Sequence, residues 1–210
     1  GNLTIEGGEF DFVVSGVGFE VKQGDYIFNK GLVHMKTCNN SVSKQYPYGD
    51  STAKVIGAKN IIINNGKIET KNEIPNGIVA SDTLIINGGE IDLLIVKEMA
   101  TGGALVGEGI SINDGKIDIK NAQVGMQVRD KGLQIKGGIT HIENVGKGII
   151  MGERSRLQMS GGELNIEAQG RAIGGGANDE LAPRIIVTDG KLYAKGRSAV
   201  AWTMSETTAK

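Results

Sequence analysis

The 210 residues carry 23 Lys and Arg against 24 Asp and Glu, so a net charge of −1 leaves no basic footprint for nucleic acid. Glycine supplies 33 residues, roughly twice ordinary usage, and proline only 3, which excludes a collagen repeat and points to recurrent tight corners. One cysteine, Cys38, excludes an internal disulfide and a thiol-rich metal site, and no run of 18 apolar residues suggests a transmembrane helix.

Taken in chain order, one unit recurs eight times. It reads LTIEGGEFDF at 3–12, YIFNKGLVHM at 26–35, IIINNGKIET at 61–70 and LIINGGEIDL at 84–93. The later copies are ISINDGKIDI at 110–119, LQIKGGITHI at 133–142, LQMSGGELNI at 157–166 and IIVTDGKLYA at 185–194. In each copy two apolar alternations flank a corner that ends in glycine, at Gly8, Gly31, Gly66, Gly89, Gly115, Gly138, Gly162 and Gly190. Alternation places each apolar pair on one face of a strand, and the corner residues turn the chain. A third short segment separates the later copies: GIVA at 77–80, GALV at 103–106, GMQV at 125–128, GIIM at 148–151, RAIG at 171–174 and SAVA at 198–201.

Three short strands in a period of about 23 residues, without helical spacing of apolar residues, predict an all-β fold. The architecture expected is a right-handed single-stranded parallel β-helix, a solenoid of about eight coils. It forms a single domain over residues 1–210, with a loop insertion at about 37–57 and a shorter one at about 175–183. One coil's inward set is Leu84, Ile86, Ile91, Leu93, Ile78 and Ala80; the next has Ile110, Ile112, Ile117, Ile119, Ala104 and Val106. Small residues such as Ala80, Ala172, Gly174, Ala199 and Ala201 imply that the core narrows at the third face.

Outward on that face, Val79, Leu105, Ile150, Ile173 and Val200 form an apolar column interrupted by Gln127, a candidate contact surface. The 37–57 insertion, with Tyr46 and Tyr48, is either a functional loop or a cover for outward Ile27, Ile62 and Ile85. No amphipathic helix closes either end of the stack, so a neighbouring domain or a second copy is expected there.

Stacking puts equivalent outward residues in columns about 4.8 Å apart. One column reads Asp11, His34, Glu69, Asp92, Asp118, His141, Asn165 and Tyr193. A second reads Asp82, Glu108, Asp130 and Glu153. Adjacent carboxylates at that spacing repel by roughly 1 kcal/mol in a water-like medium and roughly 3–4 at an effective dielectric near 20. Three readings stand side by side: neutralisation by Lys71, Lys120, Arg129, Lys131 and Arg154; calcium held between rungs; or a polar groove for a hydroxyl-rich polymer. The ligand candidates are Glu69, Asp92, Asp118, His141 and Tyr193, and the metal candidates are Asp82, Glu108, Asp130 and Glu153.

Asp92 and Asp118 lie close enough to act as an acid–base pair, but stacking produces that spacing automatically, and no catalytic signature accompanies it. Trp202 has two readings, a plug for the last coil or a stacking platform.

The corner Ile86-Asn87-Gly88-Gly89-Glu90-Ile91-Asp92-Leu93 and the segment Gly77-Ile78-Val79-Ala80 resemble the coils of bacterial cell-surface β-helix proteins. They are similar to a carbohydrate-binding β-helix family, some of whose members bind acidic plant polysaccharides and calcium. The resemblance implies a non-enzymatic protein, extracellular or on the cell surface, with a polysaccharide or cell-surface glycan as partner and calcium as an assisting ion. Retention by acidic polysaccharide is the expected behaviour. A structural or adhesive stalk, self-associating through its ends, is the alternative reading, and a degenerate polysaccharide lyase or glycosidase the third.

Overall fold

The computed structural model describes residues 1–37, 53–71, 74–95, 103–152, 155–175 and 184–201. Among the described residues eighteen strands join in one sheet, and the pairings between them are parallel. The chain is a β-solenoid with three walls per coil. Seven successive pairings connect eight rungs on the wall that follows each glycine corner, giving about seven full turns where eight coils were expected.

The glycine corners form as the sequence suggests. All eight anchor glycines have φ between 74° and 122°, a left-handed region that a Cβ disfavours. At Gly89 a Cβ would also stand 2.6 Å from the Gly66 carbonyl oxygen one coil below. On the third wall glycine serves packing instead: at Gly148 a Cβ would meet Ile166 Cγ2 at 2.4 Å and the Ala172 carbonyl oxygen at 2.3 Å.

Like side chains stack on like inside the walls. Phe28, Ile63, Ile86, Ile112, Ile135, Met159 and Val187 occupy one ladder on the first wall. Val33, Ile68, Ile91, Ile117, Thr140 and Leu164 occupy another on the second. Ile86, Ile91, Ile112 and Ile117 are fully buried. No single coil has enough apolar surface to enclose these side chains, so each depends on its neighbours for burial. At the N-terminal end the stack finishes in rings: Phe19 lies 4.9 Å from Phe12, 5.7 Å from Phe10 and 5.2 Å from Tyr26 between ring centroids. At the other end Val187 and Val200 are exposed.

A second ladder runs along the corners themselves. The Asn64 side-chain amide donates to Asn29 Oδ1 at 2.6 Å, Asn87 to Asn64 at 2.7 Å and Asn113 to Asn87 at 2.6 Å. Asn29 continues it to Glu6 at 2.9 Å. The ladder satisfies polar groups that the tight corners expose, and it ties coil to coil where no apolar packing is available.

The third wall differs from the expected alignment. Leu105 pairs with Ile78 and Met126, and Val106 pairs with Val79 and Gln127. Ile173 likewise pairs with Ile149, and Gly174 with Ile150. Leu105 and Ile173 therefore point into the core and are fully buried, while Val106 faces outward. Val200 in turn pairs with Ile173, so the copies at 103–106, 171–174 and 198–201 all stand one position out of the expected register, and a one-residue slip exchanges the faces of a strand. The apolar outward column is consequently broken by Gln127 and Gly174.

Near the first insertion, residues 54–57 belong to the strand Lys54–Ile63, which pairs with Val17–Phe28, so the wall resumes earlier than 57. Gly175 likewise ends the strand Arg171–Gly175. Tyr46, Tyr48, Glu153, Arg154 and Trp202 lie outside the described residues.

Candidate functional site

The second wall carries the principal column as read from the sequence. Asp11 pairs with His34, His34 with Glu69, Glu69 with Asp92, Asp92 with Asp118, Asp118 with His141, His141 with Asn165, and Asn165 with Tyr193. Glycine at each corner fixes where the strand begins, so the third residue after it always points outward at the same height on the wall.

The charges along this column are answered unequally. Glu69 is buried and saturated: His34 Nδ1 lies 2.6 Å from its Oε1, Lys67 Nζ lies 2.9 Å from its Oε2, and Lys71 also pairs with it. With two lysines and a histidine around one carboxylate, Glu69 works as an internal tie rather than as a ligand group. Asp92 stands one rung on, and the lysines near it are engaged elsewhere: Lys116 with Asp118 at 2.7 Å and Lys120 with Glu143 at 3.0 Å.

Asp118, His141 and Tyr193 do come together. They line a shallow groove of about 550 Å3 with Lys116, Lys120, Ile142, Glu143, Asn165 and Glu167. His141 Nδ1 lies 3.2 Å from Asp118 Oδ1. Burial pushes the Asp118 carboxyl up, but the Lys116 ammonium and the His141 ring together hold it below the usual carboxylate range. The same contact raises Lys116, and Glu143 raises Lys120, so both cations are fixed by their carboxylates. Farther along, the Asn165 side chain donates to Glu163 at 2.7 Å, and Tyr193 is 49% exposed.

Asp118, His141 and Tyr193 were legible as column members. The flanking Lys116, Glu143 and Glu167 were not singled out, although they occupy the outward positions two residues to either side of the column. Lys120 was expected to neutralise Asp118; it reaches across to the next rung instead, and Lys116 takes its place.

The second column does not form a continuous acidic line. Asp82 and Glu108 are on successive rungs, but the next coil spends three residues, 129–131, where Glu108 alone sits before. Arg129 Nη1 pairs with Glu108 Oε1 at 2.9 Å, and Lys131 reaches Asp82 across two rungs, its Cβ lying where a side chain on Gly109 would stand. That bond to Lys131 holds the Asp82 carboxyl below its ordinary value. Asp130 is exposed at the tip of the bulge. Among the described residues no three His, Cys, Asp or Glu side chains converge as a metal-holding set. Of the four candidates Asp82, Glu108, Asp130 and Glu153, the first two are thus held in ion pairs by cations of the three-residue bulge, and Glu153 lies outside the described residues.

Among the described residues no helix is long and apolar enough to cross a membrane. No family model, curated protein or solved structure matches the chain.

Proposed function

We propose that the chain is a non-enzymatic carbohydrate-binding solenoid, extracellular or attached to a cell surface, whose ligand lies in the second-wall groove. One observation carries this reading: Asp118, His141, Asn165 and Tyr193 follow one another on adjacent rungs of a rigid wall, ending in a half-exposed aromatic ring. Carboxylate, imidazole and amide groups exchange hydrogen bonds with hydroxyls, and a tyrosine ring offers an apolar face with a polar edge. The resemblance of the Ile86–Leu93 corner to carbohydrate-binding β-helices supports the same reading.

The adhesive-stalk reading drew on an apolar third-wall column, and that column loses Leu105 and Ile173 to the core. The degenerate-lyase reading called for a basic residue beside a calcium-binding acidic cluster, whereas Lys67 and Lys71 are engaged by Glu69, Lys116 by Asp118 and Lys120 by Glu143.

Affinity electrophoresis through gels containing a panel of neutral and acidic polysaccharides tests the proposal. Retardation by at least one polymer, reduced in Tyr193→Ala, is the expected result. Migration unchanged in every gel would contradict it.

A further inference from the structure

We infer that the groove selects an uncharged oligosaccharide lying along the solenoid axis, in preference to the acidic polymer that the family resemblance implies. The inference rests on the carbohydrate-binding reading and adds the ligand's charge and direction.

The charge balance decides the first point. The groove is lined by Lys116 and Lys120 against Asp118, Glu143 and Glu167, two lysines against three carboxylates. Both lysines are already committed, Lys116 to Asp118 at 2.7 Å and Lys120 to Glu143 at 3.0 Å. At the rim Lys195 faces Glu167 at 3.4 Å. An anionic ligand would have to break one of these pairs and leave a carboxylate facing its own charge, at a cost that grows as water leaves the groove. A neutral polyhydroxyl ligand leaves every pair intact.

The direction follows from where the uncharged groups lie. His141, Asn165 and Tyr193 share one column, while charged side chains flank it, Lys116, Glu163 and Lys191 on one side and Lys120, Glu143 and Glu167 on the other. From Asp118 to Tyr193 are three rung intervals, roughly 14 Å at the ~4.8 Å strand spacing. That length exceeds a single sugar ring and asks for an oligomer whose successive units meet successive rungs.

The test measures binding to the full chain by calorimetry. The probes are neutral gluco-, xylo-, manno- and galacto-hexasaccharides, their monosaccharides, and a hexameric oligogalacturonate. Expected are binding of at least one neutral hexamer, at least tenfold weaker binding of its monosaccharide, and weaker binding of the oligogalacturonate. Tyr193→Ala should weaken the neutral hexamer about three- to tenfold, and Tyr193→Phe, which keeps the ring, should restore most of it. Replacing both Glu143 and Glu167 by Gln releases Lys120 and Lys195 and should raise oligogalacturonate affinity relative to the neutral hexamer. Circular dichroism and melting confirm that each variant folds.

Oligogalacturonate binding to the wild-type groove as tightly as any neutral hexamer would overturn the charge preference while leaving carbohydrate binding intact. A monosaccharide that binds as well as its hexamer would overturn the axial placement. Binding of none of the probes would overturn the reading beneath both.

Discussion

Among the described residues, Thr140 and Tyr26 each bury a hydroxyl that has no hydrogen-bond partner. Thr140 stands in the second-wall ladder between Ile117 and Leu164, where its neighbours offer only hydrocarbon. Thr70, also on that wall, escapes this cost because the Leu94 amide donates to its hydroxyl at 2.7 Å. An unsatisfied buried hydroxyl costs about 1–3 kcal/mol, so Thr140→Val and Tyr26→Phe should each raise stability by about 1 kcal/mol at neutral pH. Tyr26 adds a pH signature, because burial raises its phenol pKa well above the usual range. A raised folded value means the contribution is complete below the unfolded pKa, near ~10, and is lost as pH climbs past it toward the folded value. Lys116 and Lys120, also raised, weaken the fold in the same alkaline direction. Urea titrations of wild type and Tyr26→Phe from pH 7 to 11 should therefore show a stability gap that widens above pH 10. A gap that stays flat, or a variant less stable at pH 7, would refute the assignment.

Among the elements, the corner strands were the most legible. A corner that ends in glycine, bracketed by alternating apolar residues, states both the turn and the inward face, so the ladder from Asp11 to Tyr193 could be read rung by rung. The third wall was less legible because its segments are short and rich in Gly and Ala. Gly103 looks like the counterpart of Gly77, but Ala104 takes that position, pairing Leu105 rather than Ala104 with Ile78. A small residue fits there because the Leu93 side chain presses on Gly77, and alanine can serve in its place. The asparagine ladder was visible as repeated residues yet silent about its bonds, since only stacking brings residues 23 to 35 positions apart into contact. Asn64 sits in its middle, donating to Asn29 and accepting from Asn87. Asn64→Ala should cost about 1–2 kcal/mol through these two bonds, measured by chemical denaturation. An unchanged midpoint would show that water replaces the ladder without loss.

For the whole molecule, regular stacking means that function reads as departures from the repeat. In the two rungs that place a carboxylate between two lysines, Lys67-Ile68-Glu69-Thr70-Lys71 and Lys116-Ile117-Asp118-Ile119-Lys120, the acid is answered by a lysine of its own rung. The last rung keeps both lysines, Lys191 and Lys195, but replaces the central acid with Tyr193. Its neighbour replaces it with Asn165 and supplies Glu163 and Glu167 to face those lysines. The groove runs from Asp118 onto the rungs where Asn165 and Tyr193 leave the column uncharged. This substitution was present in the sequence, yet its meaning depended on knowing which lysines were already paired. Under the proposed function, this break in the pattern is the binding surface. Its most direct test is an amide-resolved NMR titration of the full chain with the neutral hexasaccharide that binds best. Shift changes should concentrate on the second wall between Asp118 and Tyr193, with the Glu69 rung and the third wall unmoved. Changes centred on the third wall, or on the saturated Glu69 cluster, would contradict it.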